Sequence, residues 1–167
     1  MKKLLCPFIV LLSLLSCAAA QENVSYKSKL KILAVMADFQ SDKDEATTGT
    51  GKFGSMYSKD YGTKILDPLP HDKSYFEAHL LFAKNYFNRV SNGRLKIDYT
   101  VLPTVITVTK EMREYSPANK STDNTPLGKF AKEVWTAVAA GNGQINFSDY
   151  DLFVIFHVQG CTADVCL

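Results

Sequence analysis

Two uninterrupted apolar runs, Ile32–Ala37 and Leu152–Val158, constrain this chain more than any other feature. Neither alternates with polar residues, so the first reads as a strand buried on both faces and the second as another fully apolar strand. A sheet holding such strands needs cover on both sides, and the rest of the sequence supplies it as helices. Ser74 and Glu77 form a capping box, and Phe76, Leu80, Ala83, Phe87 and Val90 fall on one stripe. Asn92-Gly93 provides a left-handed stop, so the spacing predicts a helix over Ser74–Asn92. A second helix is predicted over Thr125–Ala140, with Thr125 as N-cap and Pro126 at the first helical position. Its apolar stripe is Leu127, Phe130, Val134 and Val138. Between the helices, Leu95, Ile97 and Tyr99 alternate with Lys96 and Asp98 in a strand with one wet face. Pro103 is expected to break it before Thr104–Thr109 alternates again. The fold class expected is α/β, a mixed twisted sheet with two packed helices.

The first 20 residues stand apart. Met1-Lys2-Lys3 is a positive n-region, Leu4–Leu15 is apolar, and Ala18-Ala19-Ala20 offers a cleavage site, so residues 1–20 read as a signal peptide. The apolar run is too short to span a bilayer. Leu14-Leu15-Ser16-Cys17 also resembles a bacterial lipobox, the alternative in which Cys17 is lipidated and anchors the product to the envelope. Either way the product is expected to be exported, secreted or periplasmic. About 147 residues remain, near the size of one domain with one core. Residues 21–29 are a polar lead-in. Cys161 and Cys166 are the cysteines left outside the leader, and an oxidising compartment permits a small disulfide loop between them.

Charge moves two partner classes down the list. The chain carries 19 basic and 17 acidic residues, and Lys2 and Lys3 leave with the leader, so the mature product is neutral. A neutral domain has no general pull toward nucleic acid or anionic membrane.

Local motifs carry little chemistry. Gly49-Thr50-Gly51-Lys52-Phe53-Gly54 matches G-x-G-x-x-G, but it lies well past the first strand and is separated from the next helix by Pro68 and Pro70. Phosphate binding requires those glycines between a strand end and a helix start, so a flexible loop is expected instead. That loop, Gln40 to about Lys64, is long, polar and expected to be functional or mobile. His71, His79 and His157 show no helical zinc spacing, and Cys161 with Cys166 is too few ligands for a zinc site. No G-x-S-x-G nucleophile elbow is present. Two cleft candidates remain. Asp38 stands at a strand end, where crevices form, as a catalytic carboxylate, a calcium ligand or a plain strand terminator. His157 is a ligand, a proton-transfer group or a neutral core imidazole. The sequons at Asn23, Asn119 and Asn146 matter only in a eukaryotic secretory pathway and are discounted beside a bacterial-type leader.

A family resemblance emerges from the order of these segments. Lys31–Phe39 is similar to the strand that opens the catalytic domain of M6-type, immune inhibitor A-like, secreted metallopeptidases. Ser74-Tyr75-Phe76 through Tyr86-Phe87-Asn88-Arg89-Val90-Ser91-Asn92-Gly93-Arg94-Leu95 resembles that family's helix and the strand that follows it. The Tyr115-Ser116-Pro117 loop, the helix near Trp135, and Asp149–His157 fit in turn. The resemblance covers residues 30–160 and implies an N-terminal subdomain of a zincin-like fold, with an extended peptide as partner of the complete enzyme.

One departure limits what the resemblance implies. These enzymes hold zinc with H-E-x-x-H, two histidines one helical turn apart with a glutamate that activates water. No H-E-x-x-H occurs in the 167 residues. The expectation is therefore a fragment of a zinc endopeptidase, inactive as given, with no zinc ligand and no catalytic residue in this chain. Residues 161–167 are expected to be a truncated tail. A pseudo-enzyme, an altered tail from a frame change, and a non-catalytic exported lipoprotein or binding module are the competing readings.

Overall fold

The computed structural model describes residues 28–43, 50–53, 70–116, 122–141 and 145–158. The leader with Cys17, most of the lead-in, most of the Gln40–Lys64 loop, and Cys161 with Cys166 lie outside the described residues.

Strand β1 spans Lys29–Asp38, helix α1 Lys73–Val90, strand β2 Lys96–Thr107, helix α2 Thr125–Gly141 and strand β3 Leu152–His157. The three strands form one parallel sheet in the order β2-β1-β3. The α/β sheet with two packed helices expected from sequence is the observed one. β1 lies at its centre, and side-chain alternation divides that strand between two cores. Ile32, Ala34 and Met36 pack with Phe76 and Leu80 of α1 and with Ile97 and Val101 of β2. Leu33, Val35 and Ala37 pack with Phe130, Val134 and Val138 of α2. One helix thus covers each face, which is why β1 needs no polar residue from Ile32 to Ala37.

Three local expectations change. α1 is capped by Asp72, whose Oδ1 accepts from the Tyr75 backbone N–H at 3.1 Å and from the Ser74 hydroxyl at 2.7 Å. Ser74 is therefore inside the helix, and Glu77 forms an i,i+4 ion pair with Lys73 at 2.7 Å in place of a capping box. The Ser74 hydroxyl and Tyr75 N–H together hold the Asp72 carboxyl below its ordinary range. The stop is as expected, with Asn92 and Gly93 both at positive φ (53° and 76°).

Pro103 does not break β2. Ala34 pairs with Val101 and Met36 with Val105, so four steps along β2 match two along β1. The irregularity leaves exposed Pro103 out of the β1 register, on an edge strand of the described sheet, where proline is tolerated.

β3, finally, is not buried like β1. It forms the other edge of the described sheet, and Leu152 and Phe153 are 45% and 46% exposed. Its ties include the ladder to β1, the Asp151 carboxylate accepting from the Lys31 N–H at 2.8 Å, Trp135 of α2 edge-on to Phe153 at 5.3 Å, and Phe76 of α1 stacked on Phe156 at 4.4 Å.

Candidate functional site

Parallel strands end on one side, so Asp38, Thr107 and His157 meet at the carboxyl edge of the sheet, where crevices form in open α/β folds. Loop residues close over part of that edge. Phe39 N–H donates to Gly51 O at 3.0 Å, Asp42 N–H to Thr50 O at 3.4 Å, and Gln40 N–H to Lys110 O at 3.0 Å. Gly51 sits at φ 77°, and a Cβ there would lie 3.2 Å from Gln40 O, so this position requires glycine. The part of the glycine motif that is described, residues 50–53, is thus docked on the end of β1 instead of forming a loose loop.

Asp38 is buried beneath it. One carboxylate oxygen, Oδ1, accepts from the Thr107 hydroxyl at 2.6 Å and from Lys52 Nζ at 3.2 Å. The Lys52 ammonium also lies 3.5 Å from Thr107 Oγ1. This tripod joins the two strand ends to the docked loop, and Phe53 beside it packs edge-on to Phe76 at 5.7 Å. A carboxylate engaged by a lysine and a hydroxyl is charge-compensated in place, the arrangement of a structural tie.

His157 is exposed at the end of β3, not buried as its strand pattern suggested. Its Nδ1 lies 2.8 Å from the Val158 carbonyl oxygen, so Nδ1 is the donor of that bond. The ring stands nearly perpendicular to Phe39 and Phe130, at 6.0 and 5.6 Å. Asp38 and His157 do not converge. His157 pairs with Ala37 and shares its face, the α2 face, whereas Asp38 follows Ala34 and Met36 onto the α1 face.

Beside His157 the structure adds a pair that no sequence motif marks. Tyr115 follows a 3₁₀ turn at Met112–Glu114 and is 4% exposed within the Phe39–Phe130 aromatic cluster. Its hydroxyl donates to Glu133 Oε2 at 2.5 Å, while Glu133 Oε1 accepts from the Thr109 N–H at 2.7 Å. Burial, then the Glu133 hydrogen bond, raises the Tyr115 pKa. Burial pushes the Glu133 carboxyl up, but the hydrogen bonds from Tyr115 and Thr109 outweigh it and leave it below its ordinary value. A polar residue three positions after Phe130 and one before Val134 is the only sequence trace of this bond. The other histidines belong to α1 and its approach: His79 Nδ1 lies 2.9 Å from Tyr75 O, and His71 stacks on Tyr75 at 4.4 Å.

The donor set does not fit a zinc centre. Among the described residues no three His, Cys, Asp or Glu side chains converge as a metal site. The sequence also lacks two histidines one turn apart. Among the described residues the edge offers the exposed His157 imidazole, the compensated Asp38 carboxylate and the Phe39–Phe130 aromatic cluster. Among the described residues, no helix is long and apolar enough to cross a membrane.

No curated protein and no solved structure matches this chain. Residues 18–163 do match the family described as immune inhibitor A peptidase M6, catalytic domain. Because that match takes in β1, both helices and β3, the chain belongs to the M6 peptidase family.

Proposed function

We propose that this chain is the scaffold and substrate-edge part of an exported M6 zinc metalloendopeptidase, and that by itself it does not hydrolyse peptide bonds. The observation that carries the reading is the M6 catalytic-domain match over residues 18–163 in a sequence without H-E-x-x-H. Zinc supplies a Lewis acid and an activated water where such a site exists, and the residues described here do not assemble that site. Their part is to hold the carboxyl edge of the sheet in shape and to present strand backbone and the His157 imidazole to an extended peptide. The leader, residues 1–20, favours export, with Cys17 lipidation as the anchored variant.

The test is direct. Purified 167-residue protein, supplied with zinc, is expected to leave casein intact, with or without chelator. Chelator-sensitive cleavage of casein by it would overturn the assignment of the chemistry to residues outside this chain. In parallel, the encoding DNA read beyond codon 167 is expected to contain H-E-x-x-H; its absence from every frame would remove the peptidase reading in favour of a non-catalytic exported module.

A further inference from the structure

α1 is packed over only part of its length. Phe76 and Leu80 are its buried residues, both in the first half. Beyond them Leu81, Phe82, Tyr86, Phe87 and Val90 are all exposed, Phe82 to 70%. Phe82, Tyr86 and Val90 follow at i, i+4 and i+8 as a ridge, with Phe82 stacked on Tyr86 at 6.1 Å and Tyr86 edge-on to Phe87 at 5.3 Å. An apolar ridge of this kind marks an interaction surface.

Its charge says what it meets. From Ala78 to Ile97 there is no Asp or Glu, but there are Lys84, Arg89, Arg94 and Lys96. Lys96 pairs with Lys29 across the start of β2 and β1, adding a fifth cation at the end of the sheet beside the α1 C-terminus. The first carboxylate reached along β2 is Asp98, shared by Lys29 at 3.0 Å and Lys84 at 3.3 Å. Hydrogen bonds from those two lysines, Lys29 first, hold its carboxyl below the ordinary range. A chain whose net charge is only +2 therefore concentrates cations around exposed aromatic rings. Aromatic and aliphatic side chains projecting from a helix, rimmed by five Lys and Arg with Asp98 as the one acid among them, match the chemistry of an anionic lipid surface. We infer that the second half of α1, with the Lys29, Arg94 and Lys96 rim, docks this protein on anionic phospholipid headgroups, with Phe82, Tyr86 and Val90 entering the interface. The inference does not depend on the peptidase reading.

Hydroxyl-radical footprinting of the full chain tests it with a local readout, because a leader bound to a vesicle would tether the protein without shielding Phe82. With vesicles of phosphatidylcholine containing about 30 mol % phosphatidylglycerol, oxidation of Phe82 and Tyr86 is expected to fall about fivefold. Phosphatidylcholine alone is expected to leave it unchanged. Substituting Arg89→Gln with Lys96→Gln is expected to raise the lipid concentration for half-protection about thirtyfold. Phe82→Ser, on the solvent side of the helix, is expected to weaken protection of Tyr86 while leaving the fold intact. The inference is overturned if anionic vesicles leave both rings oxidisable, or if neutral vesicles protect them equally. Protection already present without vesicles would assign the ridge to a second copy, and protection by an acidic polypeptide but not by vesicles would assign it to a protein partner; either outcome also overturns it.

Discussion

Removing the Tyr115–Glu133 bond is the sharpest test of how α2 is fastened to the loop after β2. Tyr115→Phe keeps the ring among Phe39 and Phe130 and deletes only the hydroxyl that lies 2.5 Å from Glu133. Glu133 is half-buried and keeps its bond from Thr109, so solvent compensates part of the loss. A hydrogen bond to a charged acceptor contributes about 1.5–3 kcal/mol, and partial exposure discounts it, so Tyr115→Phe should cost about 1–2 kcal/mol. Glu133→Leu should cost about 2–3 kcal/mol, because it leaves a hydroxyl without an acceptor on a residue that is 4% exposed. Together in a double-mutant cycle, the pair should show a coupling of about 1–2 kcal/mol by urea denaturation at pH 7.

The pH dependence follows from the direction of each shift. The folded Glu133 carboxyl lies below its ordinary 4.5, so its contribution is complete above that value and is lost as pH falls through the folded pKa. Tyr115 lies above its ordinary 10.0, so its contribution is complete below 10.0 and is lost as pH rises through the folded pKa. The coupling should therefore be flat across neutral pH and shrink in acid. A coupling under about 0.3 kcal/mol at pH 7, or one that grows as the solution is acidified below pH 4.5, would refute the reasoning.

Two further substitutions address the local corrections. Asp72→Ala should destabilise more than Ser74→Ala in the same denaturation assay, since Asp72 is the cap; the reverse order would restore the capping box. Gly51→Ala should cost about 1–2 kcal/mol, combining a positive φ with a Cβ 3.2 Å from the Gln40 carbonyl oxygen, and a neutral result would mean the docked loop does not hold that conformation.

Particular residues explain what was legible in sequence. β1 was readable because a strand covered by a helix on each face leaves an apolar run with no competing interpretation. β3 carries the same signature yet lies at an edge of the described sheet, since an apolar run records composition and not the number of neighbours. Pro103 misled for a related reason: its exclusion from strands applies to central ones, and β2 is an edge. Asp72 and Ser74 are both capping residue types two positions apart, and only backbone geometry chooses between them. The candidate site was harder to read. Asp38 was identified, but Lys52 sits in a loop that turns back onto it, and Thr107 reaches it only through the pairing of β1 with β2. Glu133 meets Tyr115 solely through packing of α2, which leaves no periodic mark in the chain.

The central position of β1 has a consequence for how the protein is made. The bond that joins Lys31 to Asp151 links residues 120 positions apart, so one flank of the first strand stays open until the chain has been synthesised through Asp151. Contacts this distant in sequence form slowly, because the chain entropy of closing the loop is lost before the strand pairing compensates for it. Until then the most apolar strand is an adhesive edge in a partly folded chain.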